Sequence, residues 1–503
     1  VKFRVFRGFS SFLASLSDPK GFTLPMRIRP PMPGPLRFTP TLPLSGLIAV
    51  LSLSACAGFR ANSGSAVVLP ADWKNAAGFP VAAPDRDLSR WWKRFDDPVL
   101  TKLIGTALAN NRDLASASAR VREARARRQS EASTLFPSLN GSAGTNSTVS
   151  RSEGVGQTSD TRYSTGLNAS WEVDLFGKNR TSLLAASSDV NAAVENLHTV
   201  QASLSSEVAL AYLDLRLAEA RRSVVRASLK SRQDTYQLTT WRQQAGQTDQ
   251  LELQQAKTSL EQANASIPSL EQSVAQTRNR LTLLAGLTPG ALDGLLGSNR
   301  AIPSPESGLA LGIPADTIRQ RPDVRAAGHR WVATVQRTRA AELEKLPSLN
   351  LSGSLGLSTL SGSKVFNPEN ASAGLITGLT SPIFDAGRIR ANIAAQGAIE
   401  EQALHDYEIS VLTALSEVED ALIACRRSAE RIATLEKAAV SAREASTLAS
   451  QRYHAGVVDL ITVLDAQRTE LGVEEGLVSA RADRSAAYVQ LYKALGGGWS
   501  PAS

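Results

Sequence analysis

Few side chains in this 503-residue sequence could do covalent or metal chemistry: two cysteines, Cys56 and Cys425, and four histidines, His198, His329, His405 and His454. A metal site needs several such ligands at turn or helix spacing, and the histidines are isolated. No P-loop or nucleophile elbow accompanies them. The sequence therefore gives no support to an enzyme, and it implies no metal or diffusible cofactor. Cys56 is different because of where it sits. It closes the apolar run "LPLSGLIAVLSLSA" at 42–55, behind Arg27, Arg29 and Arg37, so its thiol is placed for alkylation and acylation at a membrane surface. Cys425 falls on an apolar helical stripe and reads as a core filler, which leaves no disulfide framework.

The run at 42–55 is too short to span a bilayer as a helix and has the character of a secretory h-region. Residues 1–55 are expected to be a signal peptide, with translation starting at Met26 or Met32. "LSAC", Leu53 to Cys56, resembles the bacterial lipoprotein box, in which cleavage leaves a diacylglyceryl cysteine; that covalent lipid on Cys56 is the one modification expected. Each buried methylene of an acyl chain contributes about 0.8 kcal/mol, so several chains hold firmly. Ala57 follows where Asp would be an inner-membrane signal, which points to the outer membrane. The net charge of +8 comes mostly from 1–55, where seven Lys/Arg face one acid, Asp18. The remainder is nearly neutral and has no basic stripe with aromatics, so nucleic acid is not an expected partner.

Stepping along the chain, "WRQQAGQTDQLELQQAKT" at 241–258 is echoed by "QRYHAGVVDLITVLDAQR" at 451–468, an offset of 210 residues. The same offset carries "PSLN" at 137–140 onto 347–350, Gly177 and Arg180 onto Gly387 and Arg390, and "SEV" at 206–208 onto 416–418. So long a period indicates a duplicated half rather than a solenoid. The expected organisation is a lipidated N-terminal segment at 56–97, a first repeat at 98–285, a linker at 286–314, a second repeat at 315–495 and a tail at 496–503. Each repeat reads as helix, two strands, long helix, glycine break, helix.

Two periodicities define those elements. From Thr161 to Leu175, Tyr163, Thr165, Leu167, Ala169, Trp171, Val173 and Leu175 alternate with polar residues, and Leu349, Leu351, Gly353, Leu355 and Leu357 do so in the second copy. That is the two-residue period of strands with one apolar face. Weaker alternation marks strands near 138–150 and 371–384. Elsewhere a seven-residue period holds: Leu404, Val411, Val418, Cys425 and Ile432 form one seam position, Tyr407, Ala414, Ala421, Ser428 and Leu435 the other. From Asn179 to about Gln244 one helix would run roughly 100 Å. Pro268 interrupts the seam of the next helix, and a bend or break is expected there. The strands supply four staves, and a transmembrane barrel needs at least about eight, so chains must associate. Three copies would give twelve.

These residues resemble the TolC-like outer-membrane efflux proteins, most closely the lipoprotein branch that works with RND pumps. The resemblance covers about 88–495 and rests on "WWKRFDDPVLTKLIGTALANNRDL" from Trp91, "PSLN" before each strand pair, "WEVDLFGKNR" and "SPIFDAGRIR" before the long helices, "RPDVRAA" from Arg321, and "RYHAGVVDLITVLDAQR" from Arg452. It implies a mainly α fold: a long coiled-coil α-barrel plus a transmembrane β-barrel shared by a homotrimer, four strands per chain. It also implies a non-catalytic exit duct in the outer membrane, lipid-anchored and reaching into the periplasm, with a periplasmic membrane-fusion adaptor and an inner-membrane RND pump as partners. Gly246 and Gly456, with Asp249 and Asp459, then mark the periplasmic turns that meet the adaptor. Tyr453, three residues before its glycine, matches the family's gating tyrosine, and Asp465, nine after it, matches a carboxylate ring; Glu252 belongs to the same gate. Thr462 stands where some members carry a second aspartate. Two further readings remain open: the exit duct of a type I protein secretion system, and a structural coiled-coil lipoprotein acting as a tether.

Overall fold

In the computed structural model, residues 67–76, 79, 88–152, 154, 156–297, 300–305 and 314–500 are described. The apolar run at 42–55 and Cys56 lie outside them. Seven long helices and four strands make up the fold: α1 (Pro98–Asn110), α2 (Arg112–Ser133), β1 (Ser138–Ser152), β2 (Gly156–Val173), α3 (Lys178–Gln244), α4 (Gln250–Leu284), α5 (Pro322–Leu343), β3 (Ser348–Thr359), β4 (Ala371–Thr380), α6 (Arg388–His454) and α7 (Leu460–Ala494). Short helices at Asp293–Leu296 and Pro314–Gln320 lie between α4 and α5. Each of α5, α6 and α7 begins and ends 210 residues after α2, α3 and α4. Both α3 and α6 contain 67 residues, which at 1.5 Å per residue is about 100 Å.

The strands form one antiparallel meander in the order β1-β2-β3-β4. Its register sets Leu167 opposite Leu355, Trp171 opposite Leu351, Val173 opposite Leu349, and Leu349 opposite Leu379. Directly opposed residues share a face, so Leu139, Leu167, Leu349, Leu355, Leu375 and Leu379 cover one side. Asn140, Ser142, Ser164, Asn168, Ser352 and Ser354 cover the other. The apolar side is bare: Leu355 is 57% exposed and Leu375 78%. Among the described residues β1 and β4 each also carry an unpaired edge.

Two strand ends differ from the sequence expectation. β2 stops at Val173 rather than Leu175 because the Asp174 carboxylate turns to accept from the backbone N–H groups of Asn179 and Arg180 at 3.1 and 3.0 Å, capping α3. β4 stops at Thr380 rather than near 384, two residues before Pro382, which has no N–H for a ladder. Pro268 is the larger correction. α4 runs unbroken through it, and its ring lies on the exposed side of the helix, where the carbonyl deprived of a donor can turn to water.

Five helices, α1, α3, α4, α6 and α7, meet at mid-height in the main apolar core. Trp91 stacks on Tyr492 at 5.4 Å between ring centroids, and Trp92, Phe95, Leu103, Leu215, Leu281 and Val418 pack around them. The Tyr212 hydroxyl donates to Asp97 at 2.7 Å, and the other oxygen of that carboxylate caps α1 through Val99 and Leu100. Beside it lies a buried charge network. Arg216, fully buried, donates to Glu219 at 2.5 Å and to the Leu296 carbonyl at 2.7 Å, and Arg278 reaches the second Glu219 oxygen at 3.2 Å. Seam residues Val411, Val418, Cys425 and Ile432 are buried. Burial pushes the Cys425 thiol up to about 12. In the folded protein iodoacetamide at pH 8 should therefore label Cys425 at least about 100-fold more slowly than in denaturant, because the thiolate is the nucleophile. Equal rates would place Cys425 outside the core.

Candidate functional site

At the end far from the sheet, α3 and α4 form one hairpin tip and α6 and α7 another, and both tips are built alike. Gly246 has φ of 68° and Gly456 of 72°, a conformation that costs other residues strain and that lets the helix end in two reverse bonds. The Gly246 and Gln247 amides donate to the Gln243 and Arg242 carbonyls, and the Gly456 and Val457 amides to those of Tyr453 and Arg452. Three residues past each glycine an aspartate starts the next helix. Asp249 accepts from the Glu252 amide at 2.9 Å, and Asp459 from the Thr462 amide at 3.0 Å and its hydroxyl at 2.5 Å. The Thr462 hydroxyl and amide hold the Asp459 carboxyl below the usual carboxylate range.

Tyr453 ties the two tips together. It is buried, and its hydroxyl lies 3.2 Å from that of Thr239 and donates to Glu252 at 3.3 Å. Arg242 lies over the ring at 4.6 Å from the centroid and donates to the Tyr453 carbonyl at 2.9 Å. Thr248 completes the shell around Glu252 with a further hydrogen bond. Burial pushes the Tyr453 phenol above its ordinary value, and the Glu252 carboxylate adds to that shift; at neutral pH it remains a protonated donor. One turn further along α7, the Gln467 amide donates to Ser231 and Thr235 of α3 at 3.0 and 2.9 Å. A pocket of about 610 Å³ between the hairpins opens beside Gln467, Ser231, Gln451 and His454.

The structure brings Tyr453 and Glu252 together. Asp465 stands apart: it is exposed and pairs with Arg468 of its own helix at 3.1 Å. Thr462, Asp249 and Asp459 form the turn caps. Sequence reasoning did not find Arg242 and Thr239. A signal for the arginine was present, since Arg242 and Arg452 both stand four residues before their glycine. Thr239 contributes through helix packing and carries no motif.

A mainly helical chain that carries a bare-faced sheet on 67-residue helices has the fold of solved outer-membrane channels. The outer-membrane channel OprN superposes with a TM-score of 0.80 at 32% identity, covering 87% of this chain and all of that one. The Outer membrane efflux protein family model matches twice, over 103–287 and 313–497, and the chain belongs to that family. Among curated relatives, the toluene efflux pump outer membrane protein TtgF of Pseudomonas putida is 33% identical over 84% of this chain and 87% of its own. The pyoverdine export outer membrane protein OpmQ of the same species is 32% identical over 91% and 97%.

Proposed function

We propose that this chain is the outer-membrane exit duct of a tripartite efflux pump, passing small molecules from a periplasmic pump and adaptor assembly to the exterior. The observation that carries this reading is the sheet: an apolar side with no cover in the chain, a polar side, and two open edges. A lone four-stranded sheet cannot enter a bilayer, because each edge exposes unpaired backbone groups. Three copies joined edge to edge give twelve strands, polar side inward around a water-filled bore. Among the described residues no helix is long and apolar enough to cross a membrane.

Below the membrane, α3 and α6 continue the duct as a helical tunnel. The two family matches and the paired helix bounds support two structural repeats, 98–285 and 315–495, joined by 286–314. The tips then lie at the periplasmic entrance. There Tyr453, Glu252, Arg242 and Thr239 close the gate, the Gly246 and Gly456 turns with Asp249 and Asp459 meet a membrane-fusion adaptor, and Asp465 contributes a carboxylate ring. A lipid on Cys56 anchors each copy to the membrane. Relatives named for toluene and for pyoverdine share about a third of this sequence, which supports cargo choice by the inner-membrane RND pump rather than by the duct.

Leu355→Arg would place a charge on the lipid side of β3. At mid-membrane that costs about 2–4 kcal/mol per copy, so the variant should lose most of its membrane-inserted protein. Wild-type levels in washed outer membranes would remove the apolar side from lipid. The duct itself is tested in planar bilayers: purified wild type, or a gate variant such as Tyr453→Ala, should show discrete openings. Electrical silence from both would favour a tether.

A further inference from the structure

We propose that Arg120 of one copy pairs with Asp406 of the next, a charged seam that sets the register between copies; the inference rests on the shared-barrel reading above. Within the chain α5 is held between α3 and α6. Its α3 side is strongly polar: Arg330 donates to the side-chain Oδ1 of Asn196 at 2.8 Å, Arg325 pairs with Glu195 at 2.5 Å, and Arg337 pairs with Asp189. α2 precedes α5 by 210 residues and packs on α3 as α5 packs on α6. The side of α2 that corresponds to the α3-facing side of α5 is left open, and so is the side of α6 that corresponds to the α5-covered side of α3. Ala192 and Ala202 of α3 are buried, whereas the residues 210 later, Gln402 and Leu412, are exposed. Likewise Ala333 of α5 is fully buried, while its counterpart Glu123 of α2 is exposed.

The two stretches that bear the open sides have opposite charge. α2 carries six arginines against three carboxylates, and α6 between residues 400 and 420 carries seven carboxylates and no Lys or Arg. Several of those carboxylates are engaged already: Glu417 with Arg321 at 2.7 Å, and Glu419 with the Lys74 and Asn75 amides. Asp406 and Arg120 are both exposed, and among the described residues neither makes a hydrogen bond or ion pair. Moving the Arg330 to Asn196 contact back by one repeat on α2 and forward by one on α6 places Arg120 against Asp406. The pair that is arginine to amide inside the chain becomes arginine to carboxylate between chains. A second copy is the occupant that fits, because it alone offers both sides at matching heights and closes a ring. Opposite charges across such an edge reward one register and penalise slipped ones.

The chain with Arg120→Cys and Asp406→Cys, extracted from membranes and treated with a short bis-maleimide, should give covalent dimers and trimers on a denaturing gel. Arg330→Cys with Asn196→Cys should link only within one chain, and buried Cys425 should not compete. Arg120→Asp and Asp406→Arg should each lower the temperature at which the oligomer dissociates, and the double swap should restore much of the loss. An oligomer intact by native mass that yields no interchain product, or a double swap no better than the single changes, overturns the pairing while leaving the duct. A protein that is monomeric by native mass removes the shared barrel, and the seam with it.

Discussion

Tyr453→Ala is expected to raise the open probability of the reconstituted channel by an order of magnitude or more and to lower the temperature at which the tips loosen. The ring is almost wholly buried, and emptying a large aromatic site costs about 3–5 kcal/mol. Arg242 loses the face it lies over, while Thr239 and Glu252 lose the hydroxyl between them. The α6–α7 tip is then held to the α3–α4 tip by the Gln467 bonds, by the Arg242 bond to the backbone carbonyl of residue 453 and by the packing of Leu460 and Val463 with Ala256. Tyr453→Phe keeps the ring and removes only the hydroxyl bonds, each worth about 1 kcal/mol, so its opening should be intermediate. Single-channel recording separates the two, and indistinguishable traces from Ala, Phe and wild type would show that Tyr453 is packing alone.

Glu219→Ala should act at mid-height and act on stability. Glu219 is buried between Arg216 at 2.5 Å and Arg278 at 3.2 Å, and its loss leaves the Arg216 guanidinium buried over the Tyr212 ring, with the Leu296 carbonyl still accepting from it. Breaking a buried pair on one side costs about 3–5 kcal/mol because the remaining charge is uncompensated. Thermal unfolding in detergent should show a clearly lowered midpoint for Glu219→Ala. Replacing Arg216 and Glu219 together by apolar residues of similar size should recover part of it, since that removes both charges. A midpoint unchanged by Glu219→Ala would mean that water reaches this site.

The elements were largely legible in the sequence because each is governed by a short-range rule. Strict alternation through Tyr163, Leu167 and Trp171 fixes one sheet side whatever the neighbours are, and glycine followed three residues later by aspartate ends one helix and starts another at both tips. What sequence reasoning missed depends on long-range contact. Arg216 and Glu219 stand three apart on a helix, the spacing of an ordinary solvated pair, and only the packing of α3 against α4 and the short helix Asp293–Leu296 buries them. Pro268 was expected to bend or break α4, yet local sequence does not say which side of a helix meets solvent, and on an exposed side a proline is tolerated. Half of the cluster around Tyr453 lies on the other hairpin: Arg242 and Thr239 are more than 200 residues from Tyr453. Asp465 illustrates the converse: the family resemblance implies a ring at its position, while the single chain already offers it Arg468 as a partner.

The shared barrel is tested most directly by the native mass of the protein released from outer membranes in mild detergent. Three chains, and therefore twelve strands, is the predicted result. A mass of one chain, whose four strands cannot close, would contradict the account at its root.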